Sequence, residues 1–329
     1  MNSEHKPIVV VGSINMDLVA RTQHIPVSGQ TITATGFETT PGGKGANQAV
    51  AAARLGYPVE MIGMVGDDVF GQALLDNLAG AGVGIAAVTR VAGPSGIALI
   101  TVAENGENSI VVVPGANGKA DCAAINLQKD LIRSAGMVLC QLELPLDTVC
   151  HLLSFCSDLG VPVCLDPAPA APLPNEMWKQ IAWFTPNQSE AEFYLGNASK
   201  PEDLTRHLLA RGTQGVVLKR GADGAFLASA SCESAWIRPF RVETVDTVAA
   251  GDCFNAAFAV ALMEGNDPAM AARFANAAAA IAVTRKGAQA SMPSRAEVEA
   301  FLARQKETTK GSTKIDHSVQ CYRSQIDKE

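Results

Sequence analysis

The alternation of short apolar runs with helix-period segments constrains this 329-residue chain more than any other feature. Ile8–Val11, Val59–Val65, Met137–Leu142, Val161–Leu165 and Gly215–Leu218 read as strands, with helices over Ala46–Leu55, Phe70–Ala81 and Asp147–Leu159. Strands this continuously apolar are buried on both faces, so the rhythm predicts an α/β fold, a largely parallel β-sheet sandwiched by helices. One stretch breaks the rhythm. Gly96–Val113 sets two apolar runs around Glu104-Asn-Gly-Glu107, and Asn-Gly there is a hairpin signal. With the strand-like residues between Val19 and Thr40 it predicts a small β-sheet over about residues 15–41 and 94–115, either a lid or a static edge extension. The folded domain is expected over residues 1–305, and the polar residues 306–329, without apolar periodicity, read as a disordered tail.

A hydrophobic content of 47% gives enough material for a large core, and no run of about 18 uncharged apolar residues is present. The segment before Ile8 is too short for a signal peptide, so a cytoplasmic protein with no membrane association is expected. A net charge of -7, with no basic stripe interleaved with aromatics, argues against nucleic acid and for a small-molecule partner. Eight scattered cysteines without a Cys-x-x-Cys pair read as buried reduced thiols. Cys253 stands out because it falls in the first turn of a helix, where a thiol's pKa can drop, although packing explains it equally.

Two stretches carry chemistry. Asp246-Thr-Val-Ala-Ala-Gly-Asp252 runs into the Ala-rich helix Cys253–Leu262, placing a carboxylate where a turn becomes a helix. The free N–H groups and dipole of a first turn attract an anion. Asp252 beside them is either a base next to a phosphate site or a plain helix cap. As a carboxylate at a helix N-terminus it is expected to stay ionised at pH 7.

Gly42-Gly-Lys-Gly45 is neither standard nucleotide loop. Glu38 and Gly45 break the Walker A pattern, while Gln48 and Ile14 break Gly-x-Gly-x-x-Gly and with it a dinucleotide-dependent oxidoreductase. What remains is a tight turn, or a concave set of donors, with Lys44 and Asn47, suited to sugar hydroxyls or a phosphate. Asn15 and Asp17 interrupt an apolar run and need partners.

Gly42–Ala53 resembles the N-terminal signature of the PfkB family of carbohydrate kinases, and Asp246–Asn255 its C-terminal signature. The similarity runs from about Ile8 to Leu302 and includes Gly12–Asp17, Gln141-Leu-Glu143, Pro167-Ala-Pro169, Pro186–Glu190 and Ala280–Gln289. It implies ATP-dependent phosphorylation of a sugar's primary hydroxyl, D-ribose at O5 being expected, with 2-deoxyribose, fructose or a nucleoside as alternatives. A sugar-binding protein without catalysis is the reading from another class.

Carried over, the resemblance makes Asp252 the general base and the N–H groups of Ala249, Ala250, Gly251 and Asp252 an anion hole. Asn15, Asp17, Gly43, Lys44, Asn47 and Glu143 would bind the sugar, covered by Ala98 and Ile110 from the hairpin. An internal salt bridge or cap is the other reading of Asp17 and Glu143. Asn187 and Glu190 would orient Mg2+ through water. Lys219, Gly221, Ala222, Gly224 and Asn276 would line ATP, Lys219 standing where the pattern has Thr.

Asp246, Val248, Ala282, Arg285, Gly287 and Ser291 would form a site for K+, unless Asp246 merely caps its turn and pairs with Arg285. Gln30 also replaces an expected Glu, and Pro41 precedes the glycine pair. The family pattern implies a homodimer joined through the β-lid.

Overall fold

The computed structural model describes residues 5–196, 200–310 and 319–322. The chain opens with β1 (Ile8–Val11), β2 (Asn15–Thr22) and β3 (Gly36–Gly42), then enters α1 (Lys44–Arg54). Next come β4 (Val59–Gly66), α2 (Val69–Gly80), β5 (Val88–Val91) and the hairpin β6 (Gly96–Ala103) and β7 (Asn108–Val113). Helices α3 (Cys122–Leu127) and α4 (Lys129–Ser134) lead to β8 (Met137–Gln141), α5 (Leu146–Leu159), β9 (Val163–Asp166) and the two-residue β10 (Trp183–Phe184). Then α6 (Gln188–Leu195) and α7 (Pro201–Ala210) precede the meander β11 (Gly215–Lys219), β12 (Ala225–Ser229) and β13 (Ser234–Ile237). The last elements are α8 (Ala250–Met263), α9 (Pro268–Ala282), α10 (Arg295–Lys310) and β14 (Val319–Tyr322).

The main sheet has the order β14-β13-β12-β11-β10-β9-β8-β1-β4-β5, parallel from β11 to β5 and antiparallel from β11 to β14. Alternate residues of β1 show why the strands are continuously apolar. Ile8 and Val10 join one core with α1, α8 and α9, whereas Val9 and Val11 join a second core with α5 and α7. The expected small sheet is present as β3-β2-β6-β7, and Gly106 takes the positive φ that its turn requires.

Boundaries differ from the sequence reading where caps intervene. Helix α1 begins at Lys44 rather than Ala46 because Glu143 Oε2 accepts from the Lys44 N–H, serving the first turn from outside the helix. Strand β9 starts at Val163, since Pro162 has no N–H and the Val161 N–H instead closes the end of α5 on Cys156 O. The expected tail from 306 also differs. Helix α10 continues to Lys310, and Val319–Tyr322 pairs antiparallel with β13, an edge strand whose free backbone groups accept another strand. Residues 311–318 and 323–329 lie outside the described residues.

Helix α8 is apolar all round and buried from Asp252 to Ala261, with alanines letting α9 approach closely. Ala256, fully buried on α8, leaves no room for a larger side chain, so Ala256→Leu overpacks the helix and is expected to cost about 1–3 kcal/mol, read from the urea midpoint at unchanged m-value. An unchanged midpoint would show that the packing around Ala256 yields freely.

Candidate active site

Strand β1 has β4 on one side and β8 on the other, so the chain order reverses at β1 and a crevice opens at the carboxyl ends of the strands. Glycines let the elements close around it. Gly43 has φ 87°, and a Cβ there would stand 2.7 Å from the Asn15 nitrogen. At Gly45 a Cβ would stand 2.6 Å from the Gly12 carbonyl carbon, so only glycine lets α1 start directly against the end of β1. Both demands tie the Gly-Gly-Lys-Gly segment to this crevice.

The polar residues of β2 and their neighbours cluster there. Asn15 is buried, and its Oδ1 accepts from Asn117 Nδ2 at 2.7 Å, while Asn117 also clamps both backbone groups of Ile14. Asp17 lies against Gly42, where a Cβ would come within 2.2 Å of its Oδ2, and no described side chain donates to its carboxylate. Burial, with Glu143 and Asp252 nearby, pushes Asp17 up to about 7. Glu143 Oε2 accepts from Ser13 Oγ and from the Lys44 N–H, so its capping role is real. Burial works to lower the pKa of Lys44, but Asp252, Asp166, Glu143 and Glu190 together raise it, and the ammonium stays charged. In the small sheet Ala98 pairs with Asp17 across β2 and β6. The register puts Val112 opposite Ala98, and Ile110 stands two residues along β7 on the same face, half exposed.

Asp252 sits in the first turn of α8, nearly fully buried. Its Oδ2 accepts from Asn47 Nδ2 at 2.9 Å and its Oδ1 from Gln48 Nε2 at 3.2 Å. Burial raises its pKa, opposed by Lys44, reinforced by Asp166 and opposed again by the two amides. Burial thus acts against the helix N-terminus, whose dipole favours the ionised form. Before it, Ala249 takes a left-handed φ of 58°, the one non-glycine residue to do so among the described residues. That turn leaves the Gly251 and Asp252 N–H groups without backbone acceptors. Cys253, packed behind, is pushed up to about 12 by burial and is no reactive thiol.

A cavity of about 850 Å³ opens beside this turn. Lys44, Asn187, Glu190, Lys219, Gly221, Ala222, Gly224, Asn276 and Ala249 to Asp252 all line it. Asn187 and Glu190 form a reciprocal capping box on α6 and still face the cavity, so the structural and ligand-facing readings coexist. The other loop is assembled as well. Asp246 Oδ1 accepts from Val248 N–H and Oδ2 from Gly287 N–H, while the Ser291 hydroxyl turns to Ala288 O and the Ala282 carbonyl accepts from Arg285 N–H. Arg285 pairs with Glu297 at 2.5 Å and not with Asp246.

Sequence reasoning missed Asp166, Gln48, Gln141, Asn117, Gln289 and the cavity wall Pro239–Val242. Asp166 left a signal, being the charged end of an apolar strand; the wall segment left none. Among the described residues no group of three or more His, Cys, Asp or Glu side chains is arranged to hold a metal. Among the described residues lining the cavity, three carboxylates (Asp166, Glu190, Asp252) stand with the cations Lys44, Lys219 and Arg241. That donor set suits a magnesium ion brought with phosphates and kept largely hydrated.

A cavity of nucleotide size, a helix N-terminus with free N–H groups and a buried carboxylate at their junction define the class of a phosphotransferase acting on a small polyol. The pfkB family carbohydrate kinase model matches residues 5–295, and the chain belongs to that family. A ribokinase of Bacillus subtilis is 44% identical over 90% of this chain and 99% of its own length. A deoxyribokinase of Salmonella typhi is 35% identical over 90% and 98%. The structure of Arabidopsis thaliana ribokinase complexed with ribose and ATP superposes with a TM-score of 0.82 at 35% identity, covering 90% of this chain and 98% of that one. The fold is ribokinase-like.

Asp17 supplies a test on the free protein. A buried acid titrating near 7 is protonated in the folded state and ionised in the unfolded state between about pH 4 and 7, so its contribution is present at low pH and lost as pH rises through that window. Asp17→Asn is therefore expected to raise Tm by a few degrees, about 2–4 °C per kcal/mol, at pH 8 and by much less at pH 5. An equal shift at both pH values would remove the buried charge as the cause.

Proposed function

We propose that this protein transfers the γ-phosphoryl group of ATP to O5 of D-ribose. The observation that carries the reading is Asp252, placed where the cavity meets the cluster around Lys44, beside the free N–H groups of its own helix turn. In the reaction Asp252 takes the proton of the O5 hydroxyl, O5 bonds to the γ-phosphorus, and the bond to the β–γ bridging oxygen breaks to release ADP. The Gly251 and Asp252 N–H groups, with Ala249 and Ala250 shaping the turn, face the charge on the phosphoryl oxygens. Burial raises the pKa of Asp252, which strengthens it as a proton acceptor.

Asn15, Asp17, Gly43, Lys44, Asn47 and Glu143 hold the sugar hydroxyls, with Ala98 and Val112 above them. Asn187 and Glu190 orient Mg2+ through water, and the loop of Asp246, Gly287 and Ser291 takes K+. The kinship with a deoxyribokinase makes 2-deoxyribose the alternative. Asp17 favours ribose, because a buried carboxylate left without a hydroxyl partner penalises the deoxy sugar.

ADP release measured on D-ribose, 2-deoxyribose, fructose and nucleosides, in potassium and in sodium buffer, is expected to be fastest on ribose with potassium. Asp252→Asn should lower kcat by about 10²-fold or more with ribose binding retained. Near-normal turnover would take Asp252 out of the reaction.

Both faces of β7 are exposed, with Ile110, Val111, Val112 and Val113 each at 40% or more, beside Leu99 of β6. An apolar edge strand of this kind pairs with a second copy, making a homodimer through the lid. Sedimentation is expected to give a dimer that Val111→Lys converts to monomer; a monomeric wild-type protein would reject it.

A further inference from the structure

Lys219 ends β11 and Asp166 ends β9, with the two-residue β10 between them. Their side chains meet across the end of that short strand, Nζ to Oδ1 at 2.9 Å, with 13% and 3% of each side chain exposed. Both face the cavity, and Nζ stands 3.6 Å from where a Cβ of Gly251 would be, so the ammonium borders the turn with free N–H groups.

The other oxygen of Asp166 is also occupied. Its Oδ2 accepts from Gln48 Nε2 at 3.1 Å, and the same nitrogen donates to Asp252 Oδ1, while Gln48 Oε1 accepts from Gln141 Nε2 at 2.8 Å. The amide is thus fixed with its nitrogen toward both carboxylates. Asp166 is held rigidly in place, and Lys219, on a flexible stem, is the mobile partner.

A phosphate arriving at the turn meets a Lys219 ammonium already engaged by Asp166, and although Lys44 and Arg241 also line the cavity, Asp166, Glu190 and Asp252 repel it. A divalent cation arriving with it reverses both conditions. We propose that Asp166 and Lys219 form an electrostatic latch that makes capture of the nucleotide's terminal phosphate depend on a divalent cation. Asp166 turns its Oδ1 to the cation or its water shell, and Lys219 swings its N–H donors onto the terminal phosphate. Lys219 is in this state a ligand of the transferring group and not of the adenosine. The inference rests on the kinase reading of the cavity and adds to it the residue that senses the metal.

Equilibrium binding of ADP and of the non-hydrolysable analogue adenylyl imidodiphosphate, by calorimetry in EDTA and in magnesium, tests the latch without turnover. Asp166→Asn, which removes the competing charge and keeps the Gln48 contact, is expected to bind the metal-free analogue about tenfold more tightly than wild type and to gain less from magnesium. Lys219→Gln is expected to lose about tenfold in analogue affinity in magnesium, with ADP affinity changed by less than about threefold, because the lost contact is to the terminal phosphate. Each variant reads the latch independently. Metal-free affinity of Asp166→Asn within about twofold of wild type, or equal losses for ADP and the analogue in Lys219→Gln, would reduce the pair to a strap across β10. If wild type binds neither nucleotide in magnesium, the kinase reading fails together with the latch; if it binds both and only the variants disagree, the latch alone fails.

Discussion

The first turns of α1 and α8 converge on one carboxylate, and the rest of the site depends on that convergence. Asn47 and Gln48 are adjacent on α1, and each gives an amide N–H to a different oxygen of Asp252 on α8. A buried carboxylate without such donors would be far costlier than one that has them. The two sequence segments that carry chemistry are 204 residues apart, yet they are bonded directly through Gln48 and Asp252. Gly45 against Gly12 brings α1 to the end of β1, and the alanines of α8 and α9 seat the second helix behind it.

Around that carboxylate the amides form a continuous chain. Asn77 donates to Gln289, Gln289 to Asn47 and Asn47 to Asp252, while Gln141 orients Gln48 from the other side. Gln289 belongs to the same loop as Gly287, whose N–H meets Asp246. The loop before α8 and the loop after α9 are therefore mechanically joined to the orientation of Asp252, so an ion seated between them would act on the base without touching it.

Much of this was legible in the sequence, and for identifiable reasons. Strands β1, β4, β8 and β11 were visible because burial on both faces makes them continuously apolar, and the β6–β7 hairpin because Asn105-Gly106 specifies its turn. Asp252, Lys44, Asn187 and Lys219 were visible because they sit in motifs. Asp166 was visible only as a charge at the end of an apolar strand and Gln141 only as part of a motif, while nothing local marks Asn117, because the partner of each lies more than 50 residues away. That Val112 and not Ile110 sits directly opposite Ala98 depends on a register that family likeness does not give. The burial that raises the pKa of Asp252 was not legible, because the helix N-terminus is written in the sequence and the depth of burial is not.

The free site is consequently poised and not relaxed. Asp17 is buried with no donor, Ala249 holds a left-handed backbone, and the Gly251 and Asp252 N–H groups lack backbone acceptors. Each feature costs folding stability, and the unpaired groups are what incoming groups would satisfy: hydroxyls at Asp17, phosphoryl oxygens at the N–H groups. A core as extensive as the two layers flanking the main sheet can tolerate such a deficit concentrated at one crevice. Ligands that fill it therefore stabilise the fold in proportion to their affinity for the folded state.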